Sequence, residues 1–399
     1  MPHLLETEQR VQLLVGQMGD LLDGVHLVGG CVRDLMLGLE PLEIDVAVEG
    51  NAVEFANRFA ASLGAAAERH ERFGTATVDT EFGAFDFAST RRESYEFPGA
   101  LPSVSPASLE EDLQRRDFTI NAIAVSLAPD SFGSVRAVPG AIADLDARVL
   151  RSLHRESFVD DPTRVWRLCR YSARLGLSIE PQTEVDARRA VADGALSTVS
   201  LARHGAELAR SCSHGEPLAV MEACESFGLL DWIGASGFDV ERLLRAEECF
   251  GDRVDSTLLR VASLFWGTNA GHGKLDEFAL SRRLSAAARE AADVGDLPAR
   301  LAGTTESEIE ALLSSHSPEL VALCAFDGPL VEVSRWFDGL RNFTPLLTGR
   351  DLVEAGVDEG PAIAVGLEAA RVLQLDHGCS DQNELLLAAI AAIRSVEDE

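Results

Sequence analysis

Lysine is almost missing from this chain. Lys274 is the one lysine in 399 residues, so nearly all positive charge is arginine. Acidic residues outnumber basic ones 65 to 35, a formal net charge of −30. That balance fits a GC-rich genome, a high-salt cytoplasm, or both. Acidity spread evenly would argue against nucleic-acid binding, because phosphate backbones are held by Lys and Arg. The local placement of arginine therefore decides more than the sum. The seven cysteines are scattered and form no C-x-x-C pair, which predicts reduced thiols in a cytosol. No apolar run approaches the roughly 20 residues that a membrane span needs. The N-terminal MPHLLETEQRVQLLVGQ is amphipathic but acidic, without the basic start of a signal peptide. These absences lead to the expectation of a cytoplasmic protein with no membrane attachment.

The chain is long enough for two or more domains with real cores. It carries no internal repeat and no low-complexity tract. The first third mixes elements: residues 25–28 and 43–49 read as strands and 31–37 as helix. NAVEFANRFAASLG (51–64) predicts an amphipathic helix, with Asn51 as N-cap and Gly64 as stop. GTATVDT (74–80) and GAFDFAS (83–89) alternate and predict a hairpin. Residues 91–116 are polar, hold three prolines and read as an exposed loop. After about residue 138 the pattern turns helical almost throughout. The Pro- and Gly-bearing stretch 340–364 marks off a last helical subdomain.

The segment LVGGCVRDLMLGLEPLEIDVAVEG (27–50) is the first with chemical content. Side chains alternate along a strand, so Glu43, Asp45 and Ala47 point one way and Ile44, Val46 and Val48 the other. In the later hairpin Asp86 shares a face with Ala84 and Ala88, while Phe85 and Phe87 face the core. Three carboxylates would converge if these strands share a sheet. Such a set repels itself unless a cation sits between. Hard divalent ions, Mg²⁺ in particular, bind through a few carboxylates plus substrate phosphates. On its own E-x-D on a strand is mostly surface. Here Gly29 and Gly30 let backbone N–H groups approach a phosphate, and Arg33 adds a fork of donors.

Two arginine segments follow. In LEEDLQRRDFTINAIAV (109–125), Arg115, Arg116 and Asp117 precede an apolar run that reads as helix. Asp117 would cap that helix, or address a ligand together with Asn121 one turn on; their groups suit a ribose hydroxyl. In FVDDPTRVWRLCRYSARLG (158–176), Pro162 suits a first helical turn and Val165, Leu168, Cys169 and Leu175 form a buried stripe. Arg164, Arg167 and Arg174 lie elsewhere on that helix. Asp161 and Arg164 are either an intrahelical ion pair worth about 0.3–0.5 kcal/mol or a base reader. As a reader, Asp161 accepts from the exocyclic amine of cytosine or adenine and Arg164 donates to ring acceptors.

In this order, GGCVRDLMLG, EIDVAVEG, STRRESYEFPGALPSV, EEDLQRRDFTINAIA and DDPTRVWRLCRYSARLG resemble the class II tRNA nucleotidyltransferase and bacterial poly(A) polymerase family. LTGRDLVEAGVDEGPAIAVGL resembles its C-terminal helical region. The likeness is strong over residues 25–180 and patchy beyond. It implies an α+β chain: a polymerase-beta-like nucleotidyltransferase head with a mixed sheet (1–137), then an all-α neck for base recognition (138–200), body (201–339) and tail (340–399). The implied activity is metal-dependent, template-independent addition of CMP and AMP to the tRNA 3′ end from CTP and ATP. Two Mg²⁺ ions per site are implied, one held by Glu43 and Asp45, with Asp86 as third acidic position. Gly29, Gly30 and Arg33 would hold the triphosphate, and Arg116, Asp117 and Asn121 would meet the ribose side. Asp161 and Arg164, with Arg167, would read the base, and Arg170 and Arg174 would face RNA. The implied partners are tRNA and nucleoside triphosphates, with no protein partner.

The chain departs from the family pattern in places. Glu43 stands where the family usually has Asp, and Asp160 replaces a usual Glu. LARHGAEL (201–208) is an imperfect copy of a family helix. No His-Asp dipeptide occurs, so the phosphohydrolase domain of some relatives is not expected. The stretch 151–174 carries six arginines against three acids, a basic stripe inside an acidic chain of the kind RNA binding requires. CCA-, CC- and A-addition share these motifs. Poly(A) polymerase activity and a non-catalytic RNA-binding relative, to which Glu43 points, are the competing readings.

Overall fold

The computed structural model describes residues 2–70, 74–94, 96–97, 99–100, 103–213, 216–235, 238–268 and 272–397. The chain forms two compact units, Met1–Leu229 and Leu230–Glu399. The first opens with α1 (Pro2–Thr7), α2 (Gln9–Met18), β1 (Val25–Val28), α3 (Gly30–Met36), β2 (Ile44–Val48) and α4 (Ala52–Ser62). There follow β3 (Glu68–His70), β4 (Thr75–Thr80), β5 (Gly83–Ser89), β6 (Arg91–Ser94), β7 (Ser103–Pro106), α5 (Leu109–Gln114), β8 (Ile123–Ser126) and β9 (Val135–Ala137). The remainder holds α6 (Ala141–Asp146), β10 (Val149–Leu150), α7 (Ser157–Asp160), α8 (Arg164–Leu175), β11 (Ser178–Ile179), α9 (Pro181–Ala192), α10 (Leu201–Ser213) and α11 (Pro217–Ser226).

Among the described residues a seven-stranded mixed sheet runs in the order β3-β4-β5-β2-β1-β8-β9. β2 and β5 are parallel, with Asp45 opposite Asp86 and Val46 opposite Phe87. The neighbouring pairings are antiparallel. Phe85 and Phe87 turn to one side and meet Phe55 and Phe59 of α4, ring centroids 4.9–5.7 Å apart. Helix α4 keeps its expected limits: Asn51 accepts from the Glu54 amide, and Gly64 follows at φ +67°. On the opposite face Val28, Ala47, Ala122 and Ala124 pack against Leu109 and Leu113 of α5. Buried aromatics thus fill one side of the sheet, and small residues leave the other open beside the carboxylates.

Two expectations fail here. The segment 91–116 is not a loop where it is described. β6 and β7 pair antiparallel, Arg91 opposite Pro106, and α5 follows under a capping box of Ser108 and Glu111. Tyr95, Pro98, Leu101 and Pro102 of that reading lie outside the described residues. Pro106 ends a strand of a two-stranded ladder, where a missing N–H costs little. The run after Asp117 is not a helix either. Thr119–Asn121 make one 3-10 turn and Ile123–Ser126 are β8, held between β1 and β9 and buried along its whole length. A strand covered on both faces loses its alternation and reads like a helix core.

Beyond residue 138 the expected helices appear, with the small parallel ladder of β10 and β11 between them. The second unit is helical. Its last two long helices, Pro361–Asp376 and Gln382–Glu397, close around Ala370, Leu385, Ala389 and Ile393 together with Leu347 and Leu352. No helix among the described residues is long and apolar enough to cross a membrane.

Candidate active site

A cavity of about 830 Å³ lies wholly within the first unit. Every residue singled out above as catalytic, nucleotide-binding or RNA-binding lines it: Glu43, Asp45, Asp86, Gly29, Gly30, Arg33, Arg116, Asp117, Asn121, Asp161, Arg164, Arg167, Arg170 and Arg174. These come from positions as far apart as 29 and 174, so the fold gathers them.

The carboxylates form one wall. Glu43, Asp45 and Asp86 each offer an oxygen within 4.8 Å of the others. The parallel register of β2 and β5 sets Asp45 against Asp86, and Glu43 enters two residues earlier on the same face. Thr77 of β4 donates to one Asp86 oxygen at 2.5 Å and fixes its rotamer. Burial, then the charges of Glu43 and Asp86, push Asp45 up to about 7, against the pull of Arg116 and Arg33. Burial and Asp86 push Glu43 up as well, with Arg210 and Arg170 opposing. Three carboxyl groups crowded in this way repel one another when ionised unless a cation sits between them. Cys31, beside them, is no nucleophile: it is buried, donates to the Val28 carbonyl and is held as a thiol by burial.

The turn between β1 and α3 abuts this wall. Gly29 has φ +73°, and a Cβ there would come within 2.7 Å of Arg116 Nη1 and 3.5 Å of Asp45 Oδ2. Glycine is therefore required by the backbone conformation, and a side chain there would also displace the end of Arg116. Arg33 is buried, bonded through Nε and Nη2 to Asp34 (2.8 and 2.7 Å) and through Nη1 to Asn121 Oδ1 (2.6 Å). Asn121 Nδ2 donates to Asp117 Oδ1 (2.9 Å), and Asp117 Oδ2 accepts from Arg167 Nε (2.6 Å). Burial works against the Asp117 carboxylate, but Arg167 and the Asn121 hydrogen bond hold it well below its usual range. Asp117 and Asn121 thus join Arg33 to Arg167. Asp117 caps no helix; it accepts from the amide of Phe118 next to it.

The remaining wall comes from α8 and α10. Asp161 and Arg164 form no ion pair with each other. Asp161 accepts from Thr163 through one oxygen and from Arg203 (2.8 Å) through the other. Arg164 is buried rather than spread along the surface, and donates to Ser157 Oγ (2.6 Å) and the Arg115 carbonyl (3.0 Å). Arg170 donates to Glu207 (2.6 Å) and Arg174 to Asp34 (3.3 Å). Arg203, Glu207 and Arg210 of α10 also line the cavity and escaped the sequence reading. Their spacing of four and three is one helical face, which is the signal that could have found them. Arg151, counted in the basic stripe, pairs instead with Asp144 and Glu180. Buried N–H groups of Arg116 (Nε), Arg170 (Nε) and Arg203 (Nη1) have no acceptor. Three arginines of one cavity with unspent donors are complementary to a polyanionic ligand.

The profile of the Poly A polymerase head domain matches residues 25–151. The chain is 32% identical to an A-adding tRNA nucleotidyltransferase of Geobacter sulfurreducens over 94% of its own length, but spans only 46% of that protein. It is 31% identical to an A-adding tRNA nucleotidyltransferase of Halalkalibacterium halodurans, over 90% of this chain and 87% of that one. Among solved structures, the Thermotoga maritima CCA-adding enzyme complexed with tRNA is similar at a TM-score of 0.73 and 28% identity, with 98% of each chain covered.

Proposed function

The chain belongs to the tRNA nucleotidyltransferase and poly(A) polymerase family, and from that premise we propose that it adds CMP, AMP or both to the 3′ end of tRNA, in the cytoplasm, without a nucleic-acid template. The observation that carries the proposal is the single cavity with three carboxylates on one wall and unspent arginine donors on the others. In the proposed reaction the terminal 3′-hydroxyl of the RNA attacks the α-phosphate of a nucleoside triphosphate in line. A phosphodiester bond forms, the bond to the β-phosphate breaks, and the hydroxyl proton and pyrophosphate leave. Arg33 and Arg116, beside the Gly29–Gly30 turn, would hold the triphosphate, with Asp117 and Asn121 keeping Arg33 and Arg167 in place on the ribose side. Asp161, flanked by Arg164 and Arg203, would meet the base edge. Head (1–137) and neck (138–200), joined by Arg203, Glu207 and Arg210 from the start of the body, would supply this site; the tail would extend the RNA contact.

Glu43, Asp45 and Asp86 fit a hard divalent cation: all-oxygen donors, mutually close, and destabilised when left to themselves. They would hold Mg²⁺, which when bound supplies a Lewis acid for the phosphoryl oxygens and the attacking hydroxyl. Asp45 keeps its proton to about pH 7 in the folded chain, against an ordinary value of 3.8. Its contribution to stability is therefore full below about pH 4 and is lost as pH rises through 7. Mg²⁺ should restore what ionisation costs. Thermal unfolding with and without Mg²⁺ should show a gain of about 2–5 °C at pH 8 and little or none at pH 5. An equal gain at both would count against this carboxylate cluster as the binding site.

Transfer itself is tested with tRNAs ending before, within and after CCA, each incubated with one nucleotide at a time. Both curated relatives described above are A-adding, which favours AMP addition to tRNA ending in CC. Extension of any RNA with long A-tracts would identify a poly(A) polymerase instead. No incorporation under any condition would sink the enzymatic reading.

A further inference from the structure

Tyr171 belongs to no motif role assigned above, yet three cavity arginines converge on its ring. The guanidinium of Arg33 stands 4.8 Å from the ring centroid, that of Arg170 5.2 Å and that of Arg167 5.3 Å. All are inside the roughly 6 Å over which a cation is attracted to an aromatic face. The ring is buried and held from the side by Phe118, edge-on at 5.9 Å. Arg33 comes from α3, beside the glycine turn, whereas Arg167 and Arg170 come from α8. The arginines also meet carboxylates: Asp34 for Arg33, Asp117 and (at 4.0 Å) Glu207 for Arg167, and Glu207 for Arg170. Three like charges in one cavity repel. A shared π-face restrains their planes and offsets part of that repulsion without consuming N–H donors.

We infer that Tyr171 is the positioning residue of the nucleotide cavity, its ring holding the guanidinium groups of Arg33, Arg167 and Arg170 in place to face the triphosphate and ribose together. The inference rests on the function proposed above. Donors set before the ligand arrives raise affinity by lowering the ordering cost of binding. The ring face, more than the hydroxyl that also lies beside Arg33, carries the effect, and it serves every nucleotide alike because it acts through arginines rather than on the base.

The test is direct titration of ATP and CTP onto the full chain without RNA. Tyr171→Phe should bind both within about threefold of wild type, because the face is retained. Fluorinated phenylalanines placed at position 171 keep the ring's size while withdrawing charge from its face. Across that series the dissociation constant should rise stepwise, about tenfold in all and equally for ATP and CTP, with KM rising and kcat nearly constant. A flat series would overturn the inference. So would a change in the ATP-to-CTP ratio, which would make Tyr171 a base contact, or a Tyr171→Phe as weak as the most fluorinated variant. If the wild-type chain bound neither nucleotide, the proposed function would fall first and this inference with it.

Discussion

Asp45→Asn abolishes transfer while making the metal-free protein more stable. Charge stabilisation by a held cation is worth several kcal/mol, and each 1.36 kcal/mol is a decade in rate, so the loss should be about a thousandfold or more. Asparagine is isosteric but brings no negative charge. It removes the group that burial, and then the charges of Glu43 and Asp86, push up to about 7. Unfolding without divalent ions should therefore move to higher temperature at pH 8, and the gain should vanish near pH 4, where Asp45 is protonated anyway. Single-turnover transfer and thermal unfolding on the same sample read the two halves. Full activity in Asp45→Asn would remove this residue from the reaction. Lost activity with lowered stability would show instead that Asp45 is a structural acid.

Asp117→Ala has the largest cost to folding. Asp117 is buried and receives hydrogen bonds from the Phe118 amide, Asn121 and Arg167. Removing one partner of a buried ion pair leaves the other charge stranded, typically at 3–5 kcal/mol. Arg167 is about one-third exposed and also leans on Tyr171, so about 2–4 kcal/mol is expected. For a unit of this size that is roughly 5–12 °C in melting temperature. The folded value of Asp117 lies below the ordinary one, so its stabilisation is present above about pH 4 and is lost on further acidification. Denaturant titrations of wild type and variant should differ most at neutral pH and converge in acid. Nucleotide affinity should fall with stability, because Asn121 and Arg167 lose their anchor together. A variant as stable as wild type at pH 7 would mean that water replaces the carboxylate.

Where a residue's task is local, it could be read from the sequence. Alternation put Glu43 and Asp45 on one side of β2 and Asp86 beside Ala84 and Ala88 on β5, so that a shared sheet was all their convergence still needed, and Asn51 and Gly64 marked both ends of α4. The glycine pair could be read too, since a turn before a helix needs little context. What failed depended on distant partners. β6 and β7 have four residues each, too few to establish a period, and the Ser108–Glu111 cap that announces α5 hides in a polar stretch. β8 is buried throughout, and apolar up to Ser126, because β1 and β9 cover its edges and other layers its faces. The carboxylate partners of the arginines were illegible for the same reason. Arg203 meets Asp161 across 42 residues and Arg174 meets Asp34 across 140. Nothing nearer in the chain names those carboxylates as the partners.

The parallel ladder between β2 and β5 works as a ruler. Because Asp45 lies opposite Asp86 and Val46 opposite Phe87, sliding one strand by a single residue would trade a carboxylate for a phenyl ring. Main-chain hydrogen bonds, which side-chain evolution barely touches, therefore hold the spacing of the acids. Drift in surface composition as extreme as this chain's near-total replacement of lysine can then proceed without disturbing the interval on which its chemistry depends.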